Sequence, residues 1–138
     1  MESLFLAFGI GVVSGLRTFT GLAALALSRG ISVWSVLLSL GALGEYVADA
    51  QPWIPSRTAL PSIVIRPLSG AIAGWFMVSL HPAGWPPGGA LAGVLGALLG
   101  TYGGHAARLA AIKAIGAIPA AVAEDVVAIA LAAFFVTR

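Results

Sequence analysis

An arginine stands near the middle of a long apolar run. From about Ser3 to Ser28 the chain is apolar or small, and its one charge is Arg17. A run of that length matches a bilayer crossing, yet a guanidinium at the centre of a lipid-facing helix costs about 2.5–3.5 kcal/mol on insertion scales. Arg17 must therefore face protein, water or an anion, and some other part of the chain has to satisfy it.

The remaining sequence is of the same kind. Of 138 residues, 59% are hydrophobic and 9% are charged, against about 45–50% and about 25% in a soluble domain. A chain this short has too little interior to hide that much apolar surface. The composition predicts an all-α integral membrane protein, one domain over 1–138. Seven basic residues are too few and too scattered for a nucleic-acid surface. The absence of cysteine removes a disulfide framework, a thiolate zinc site and a thiol nucleophile. No metal, cofactor or enzymatic activity is expected. The N-terminus lacks the basic start of a cleaved signal peptide, which predicts a retained first span.

Five transmembrane helices are predicted, at about 3–28, 32–50, 63–81, 88–112 and 118–136. In the first, Ser3 is a plausible N-cap, Gly30 ends the helix, and Gly11 and Gly15 form a small-xxx-small contact face. In the second, Glu45 and Asp49 are four residues apart and share a face; the plain alternative is that Asp49 only reaches the headgroup layer. The third is short, with Pro67 suited to its first turn and Gly70 and Gly74 on one face. The fourth carries Gly96, Gly100 and Gly104 at every fourth position. Its apolar pattern continues to about Ile115, so it either tilts or breaks at Gly103–Gly104. The fifth has Pro119 in its first turn and Glu124 and Asp125 one turn further in. There they line a site, or merely complement the helix macrodipole.

Gly11-xxx-Gly15 followed by Arg17 is echoed by Gly100-xxx-Gly104 followed by Arg108, and each is followed by a helix with two acids. With one short central helix between them, helices 1–2 and 4–5 read as an inverted repeat. Five crossings place the termini on opposite sides. Counting Arg57, Arg66, Arg108 and Lys113 on the inner side favours a cytoplasmic N-terminus. Charges placed within apolar runs pair inside a bundle or line a water-filled path. Arg17, Glu45, Asp49, Arg108, Glu124 and Asp125 are therefore the candidate ion- or substrate-binding residues, and Arg17 is expected to be held by Glu45, Glu124 or Asp125.

The order Gly15-Leu16-Arg17-Thr18-Phe19, then Glu45-xxx-Asp49 with Pro52 after it, then Arg66-Pro67-Leu68-Ser69-Gly70, then Glu124-Asp125 resembles the uncharacterised bacterial membrane family "domain of unknown function 4126". The resemblance covers most of the chain. It implies a bacterial inner-membrane location and a shared pattern at Arg17, Glu45, Asp49, Arg66 and Glu124, and it carries no activity.

Three functions compete. The first is a small transporter or channel for an ion or solute, with Glu45 and Glu124 as proton carriers. The second is an oligomeric structural or interaction protein built on the glycine faces Gly11/Gly15, Gly70/Gly74 and Gly96/Gly100/Gly104. The third is a protein handling phosphate headgroups through Arg17, Arg66 and Arg108. The lipid bilayer is the expected partner throughout, with a homo-oligomer compatible with the first two.

Overall fold

The first apolar run makes two helices rather than one. The computed structural model of the protein describes residues 1–49 and 62–138. These form six α-helices and, among the described residues, no strand: α1 (Glu2–Leu16), α2 (Thr20–Ser28), α3 (Val33–Asp49), α4 (Ser62–Ser79), α5 (Pro86–Ile115) and α6 (Ala117–Val136). The expected single helix over 3–28 is interrupted at Arg17–Phe19, where Arg17 is extended (φ −142°, ψ 115°). The start also differs slightly: α1 begins at Glu2 with Met1, not Ser3, at its cap.

After the break the chain folds back. A Cβ on Gly21 would lie 2.8 Å from Ser14 Oγ and 3.3 Å from the Ile10 carbonyl oxygen. Leu25 joins Leu6 and Ile10 in the apolar core. Thus α1 and α2 form an antiparallel helical hairpin with its tip at Arg17–Phe19. Gly30, at φ +110°, takes the left-handed conformation that ends α2. Ser32 then caps α3: its Oγ accepts the Ser35 N–H (3.2 Å), and Ser35 Oγ accepts the Ser32 N–H (2.7 Å). This is a reciprocal capping box.

The centre of the bundle is a glycine seam among α1, α4 and α5. Gly11 meets Gly93, and Gly15 meets Ala97, Gly100 and Thr101. Both sequences ascend together, so α1 and α5 are parallel. Gly70 meets Gly93 and Ala97, while Gly74 meets Gly89, so α4 is antiparallel to α5. At each of these glycines a Cβ would collide with backbone of the facing helix. Gly93 is shared, touching α1 on one side and α4 on the other. Small residues inside and large ones outside is the general pattern: Ala73, Ala97, Ala128 and Ala132 are buried, whereas Val33, Trp34, Leu91 and Val126 are exposed.

Four expectations are corrected here. Because α2 folds back, the helix carrying Gly11, Gly15 and Arg17 runs in the same direction as the one carrying Gly100, Gly104 and Arg108, so these two segments are not inverted. For the same reason the termini share one end of the bundle: the Phe5 and Phe135 rings pack edge to face at 6.0 Å. Arg66, Arg108 and Lys113 lie towards the end opposite the N-terminus. Pro67 is interior to α4, because that helix already starts at Ser62. The ring removes the donor for the Ile63 carbonyl and sets Arg66 within the helix.

Elsewhere the differences are small. α5 runs unbroken through Gly103–Gly104 for 30 residues, about 45 Å at the usual rise. A Cβ at Gly103 would meet open space. A single residue, Gly116 at φ +90°, joins α5 to α6. Among the described residues one helix, Ala117–Val136, is long and apolar enough to cross a membrane; the apolar stretches Glu2–Leu16, Val33–Glu45 and Ile63–Ser79 are shorter. Arg57 and Pro52 lie outside the described residues, as does the side chain of Asp49, whose backbone closes α3.

Two predictions follow from this packing. The chain has no cysteine, so Glu2→Cys and Thr137→Cys each create a unique label site. Once the chain is inserted in oriented vesicles, as the composition predicts, a membrane-impermeant maleimide should modify both from the same side; labelling from opposite sides would refute the folded-back hairpin. Gly93→Ala should lower thermal stability in detergent by about 1–3 kcal/mol through overpacking. Gly103→Ala, which adds helix propensity in open space, should be neutral or stabilising by up to about 1 kcal/mol.

Candidate functional site

A chain that leaves the helical path in a bundle interior strands backbone donors and acceptors, and each must find a partner. At the hairpin tip the partners come from three other helices. Arg66 of α4 donates from Nη1 to the Gly15 carbonyl (2.6 Å), and Thr101 Oγ1 of α5 donates to the same oxygen (3.4 Å). Ser69 Oγ of α4 donates to the Thr18 carbonyl (2.5 Å). Glu45 of α3 accepts the Thr18 N–H on Oε1 (2.8 Å) and the Phe19 N–H on Oε2 (3.1 Å). Its carboxylate therefore sits at the N-terminus of α2, where the helix macrodipole favours negative charge. Arg66 Nη2 lies 3.3 Å from Glu45 Oε1, joining the cation at the end of α1 to the anion at the start of α2.

The second part of the site is built on α5 and α6. Arg17 is fully buried, and its Nη2 donates to Asp125 Oδ1. Glu124 Oε2 lies 4.0 Å from the same nitrogen and 3.5 Å from Arg108 Nη1. Arg108 and Glu124 stand eight residues on either side of Gly116. The one-residue turn thus brings them level across the α5–α6 hairpin. Glu124 is 9% exposed and Asp125 22%. Adjacent on one helix, the two acids point in different directions, and Glu124 bridges Arg17 to Arg108.

Together these side chains form a layer of three arginines (Arg17, Arg66, Arg108) and three carboxylates (Glu45, Glu124, Asp125). The formal charge of the layer is zero. It can hold the hairpin tip in place without a net charge being left in a low-dielectric interior. Among the described residues no group of three His, Asp or Glu side chains is placed to hold a metal ion. Ser14 Oγ, buried against Gly21, makes no hydrogen bond among the described residues.

Of the six residues singled out by sequence, Arg17, Arg108, Glu124 and Asp125 come together around α6. Glu45 lies with Arg66 on the other side of the tip, and the side chain of Asp49 is outside the described residues. Ser69 and Thr101 are not among the candidate site residues, and Arg66 is a candidate only in the phosphate-headgroup reading. Arg66 was legible as a charge at the margin of an apolar run, whereas Ser69 and Thr101 look like ordinary small residues of helix-contact faces. The packing glycines Gly11, Gly15, Gly70, Gly74, Gly96 and Gly100 all face a neighbouring helix of the same chain.

Comparison of the chain with family models, curated proteins and solved structures returns no match.

Removing one partner of a buried pair leaves the other charge uncompensated, at a cost of about 3–5 kcal/mol. Arg17→Met should destabilise the protein by that amount. Arg17→Met combined with Asp125→Leu should recover part of the loss, with a coupling energy of about 0.5–3 kcal/mol in a double-mutant cycle measured by unfolding. Strict additivity would show that the two side chains do not interact.

Proposed function

We propose that this chain is an integral membrane protein that moves a small ion or solute. In this reading α3, α4, α5 and α6 cross the bilayer and the α1–α2 hairpin re-enters it. The observation that carries the proposal is the position of the hairpin tip. With 15 residues, α1 reaches about 22 Å into the bundle, past the middle of a hydrocarbon core about 30 Å thick. Non-helical backbone at membrane depth is tolerated where protein buries it or where it lines a cavity, and it is a recurrent element of filters and transporters.

The outward surface supports a membrane setting. Large aliphatic and aromatic side chains are exposed on every helix, among them Phe5, Leu27, Leu40, Phe76, Leu95 and Val122; soluble monomers seldom present apolar surface this extensive. The likeness to domain of unknown function 4126 belongs to the same reading. With Arg66, Arg108 and Lys113 towards the end opposite the termini, the positive-inside rule favours that end in the cytoplasm and both termini outside. In the proposed mechanism Glu45 and Glu124 are the proton carriers, Arg17 neutralises the carboxylates beside it, and no chemistry is performed on the solute.

The competing readings have less support. The glycine faces that suggested an oligomer are taken up by contacts within the chain, so a homo-oligomer would use an aliphatic face such as Val122, Val126 and Ile129 of α6. A role in headgroup handling would need arginines free for phosphate, and each arginine of the layer already has a carboxylate beside it.

The test is flux in proteoliposomes. Wild-type protein should move protons, a halide or a small anion above the empty-liposome rate, and Glu45→Gln or Arg17→Gln that still inserts should fall to that rate. Wild-type flux equal to empty liposomes across a broad panel would overturn the transport reading.

A further inference from the structure

Beside the hairpin, on the side away from α6, the faces of α2, α3 and α4 leave a groove of about 610 Å³. Leu22, Leu25 and Ala26 form one wall, Leu38 a second, and Ile72 and Phe76 the third. Both α2 and α4 contribute residues at helical spacing along one line, from Ile72 to Leu80 on α4. That gives the groove a length of about 12 Å. All of these side chains are apolar.

The two ends of the groove differ. At its outer end lie Arg29 and the indole of Trp34, where α2 stops, α3 starts and α4 stops. Arg29 is exposed and makes no ion pair among the described residues. An apolar trough with a single cation and an indole at its mouth is complementary to an amphiphile with one acyl chain inward and an anionic head outward. Trp and Arg at helix ends mark headgroup depth, so in a bilayer the mouth would lie where phospholipid phosphates lie.

A second groove, of about 560 Å³ between α2, α3 and α6, provides the contrast. Its polar lining is hydroxyls of Thr20, Ser28, Ser39 and Thr137, and no charged side chain lines it among the described residues. The nearby Arg138 is instead stacked on Phe134, with Cζ 4.5 Å from the ring centre.

We propose that the groove between α2, α3 and α4 is a specific site for an anionic phospholipid, with one acyl chain between Leu25, Leu38 and Phe76 and the phosphate on Arg29. The proposal rests on the membrane reading above and adds to it a ligand and the residue that selects it.

The experiment is lipid retention. Protein is reconstituted in vesicles of equal phosphatidylglycerol and phosphatidylcholine, extracted in mild detergent and examined by native mass spectrometry. One phosphatidylglycerol per chain should be retained in preference to phosphatidylcholine by about fivefold, the value for one basic residue near an anionic headgroup. Arg29→Ala, an exposed substitution that leaves the core untouched, should bring the ratio to near one. Ala26→Phe, which fills the groove, should remove the bound lipid, with helicity by circular dichroism reporting that the variant folds. Arg138→Ala should leave the ratio unchanged. A wild-type ratio near one, an unaltered ratio in Arg29→Ala, or retention of a fatty acid instead of phospholipid would overturn the proposal. Insertion without retained lipid defeats this site alone, whereas failure to enter vesicles at all defeats the membrane reading as well.

Discussion

At Arg17–Phe19 the backbone departs from the helix inside a bundle, and the groups it strands have no water guaranteed to meet them. A buried donor or acceptor left unpaired costs about 1–3 kcal/mol on the scale of protein substitutions. The chain meets each need from a different helix: Glu45 of α3 for two N–H groups, Arg66 and Ser69 of α4 and Thr101 of α5 for two carbonyls. The hairpin is therefore not a local structure. Its turn is stable only with α3, α4 and α5 already around it, and the charges of the layer are positioned by that requirement as much as by their mutual attraction.

The glycine seam makes this arrangement possible. Arg66 can reach the Gly15 carbonyl, and Thr101 the same atom, because Gly11, Gly15, Gly70 and Gly93 let three backbones approach without intervening side chains. Close approach also brings unlike charges within reach of one another. Three guanidinium groups pair with three carboxylates, so the interior holds many charges and little net charge. That balance is the condition under which ions persist in a low-dielectric medium.

Some of this was legible in the sequence. Arg17 in an apolar run required an acidic partner, and the acids of 124 and 125 were among the few available. The glycine spacings announced close helix contacts. The break was not legible, because Leu16-Arg17-Thr18-Phe19-Thr20 contains neither glycine nor proline. What stops the helix is hydrogen bonding to residues between 26 and 86 positions away. Threonines 18 and 20 lower helix propensity only slightly, so no window around the turn contains its cause. That one feature alters the direction of everything after it: counting a crossing where there is a hairpin reverses the expected relation of α1 to α5 and separates termini that in fact meet. Pro67 was misplaced for a related reason. Position in an apolar run suggested the first turn, whereas α4 starts five residues earlier.

The seam has a mechanical consequence. Where α1, α4 and α5 touch, backbone lies on backbone, so no rotamer can turn to accommodate a shift. Compliance has to reside elsewhere, and α2 is a neighbour with open space beside it. It is short, it ends at Gly30, and an open groove borders it on each side. The three seam helices thus form a stiff keel with α2 lying along it as a stave, and the Glu45 carboxylate at the head of α2 is the joint between them.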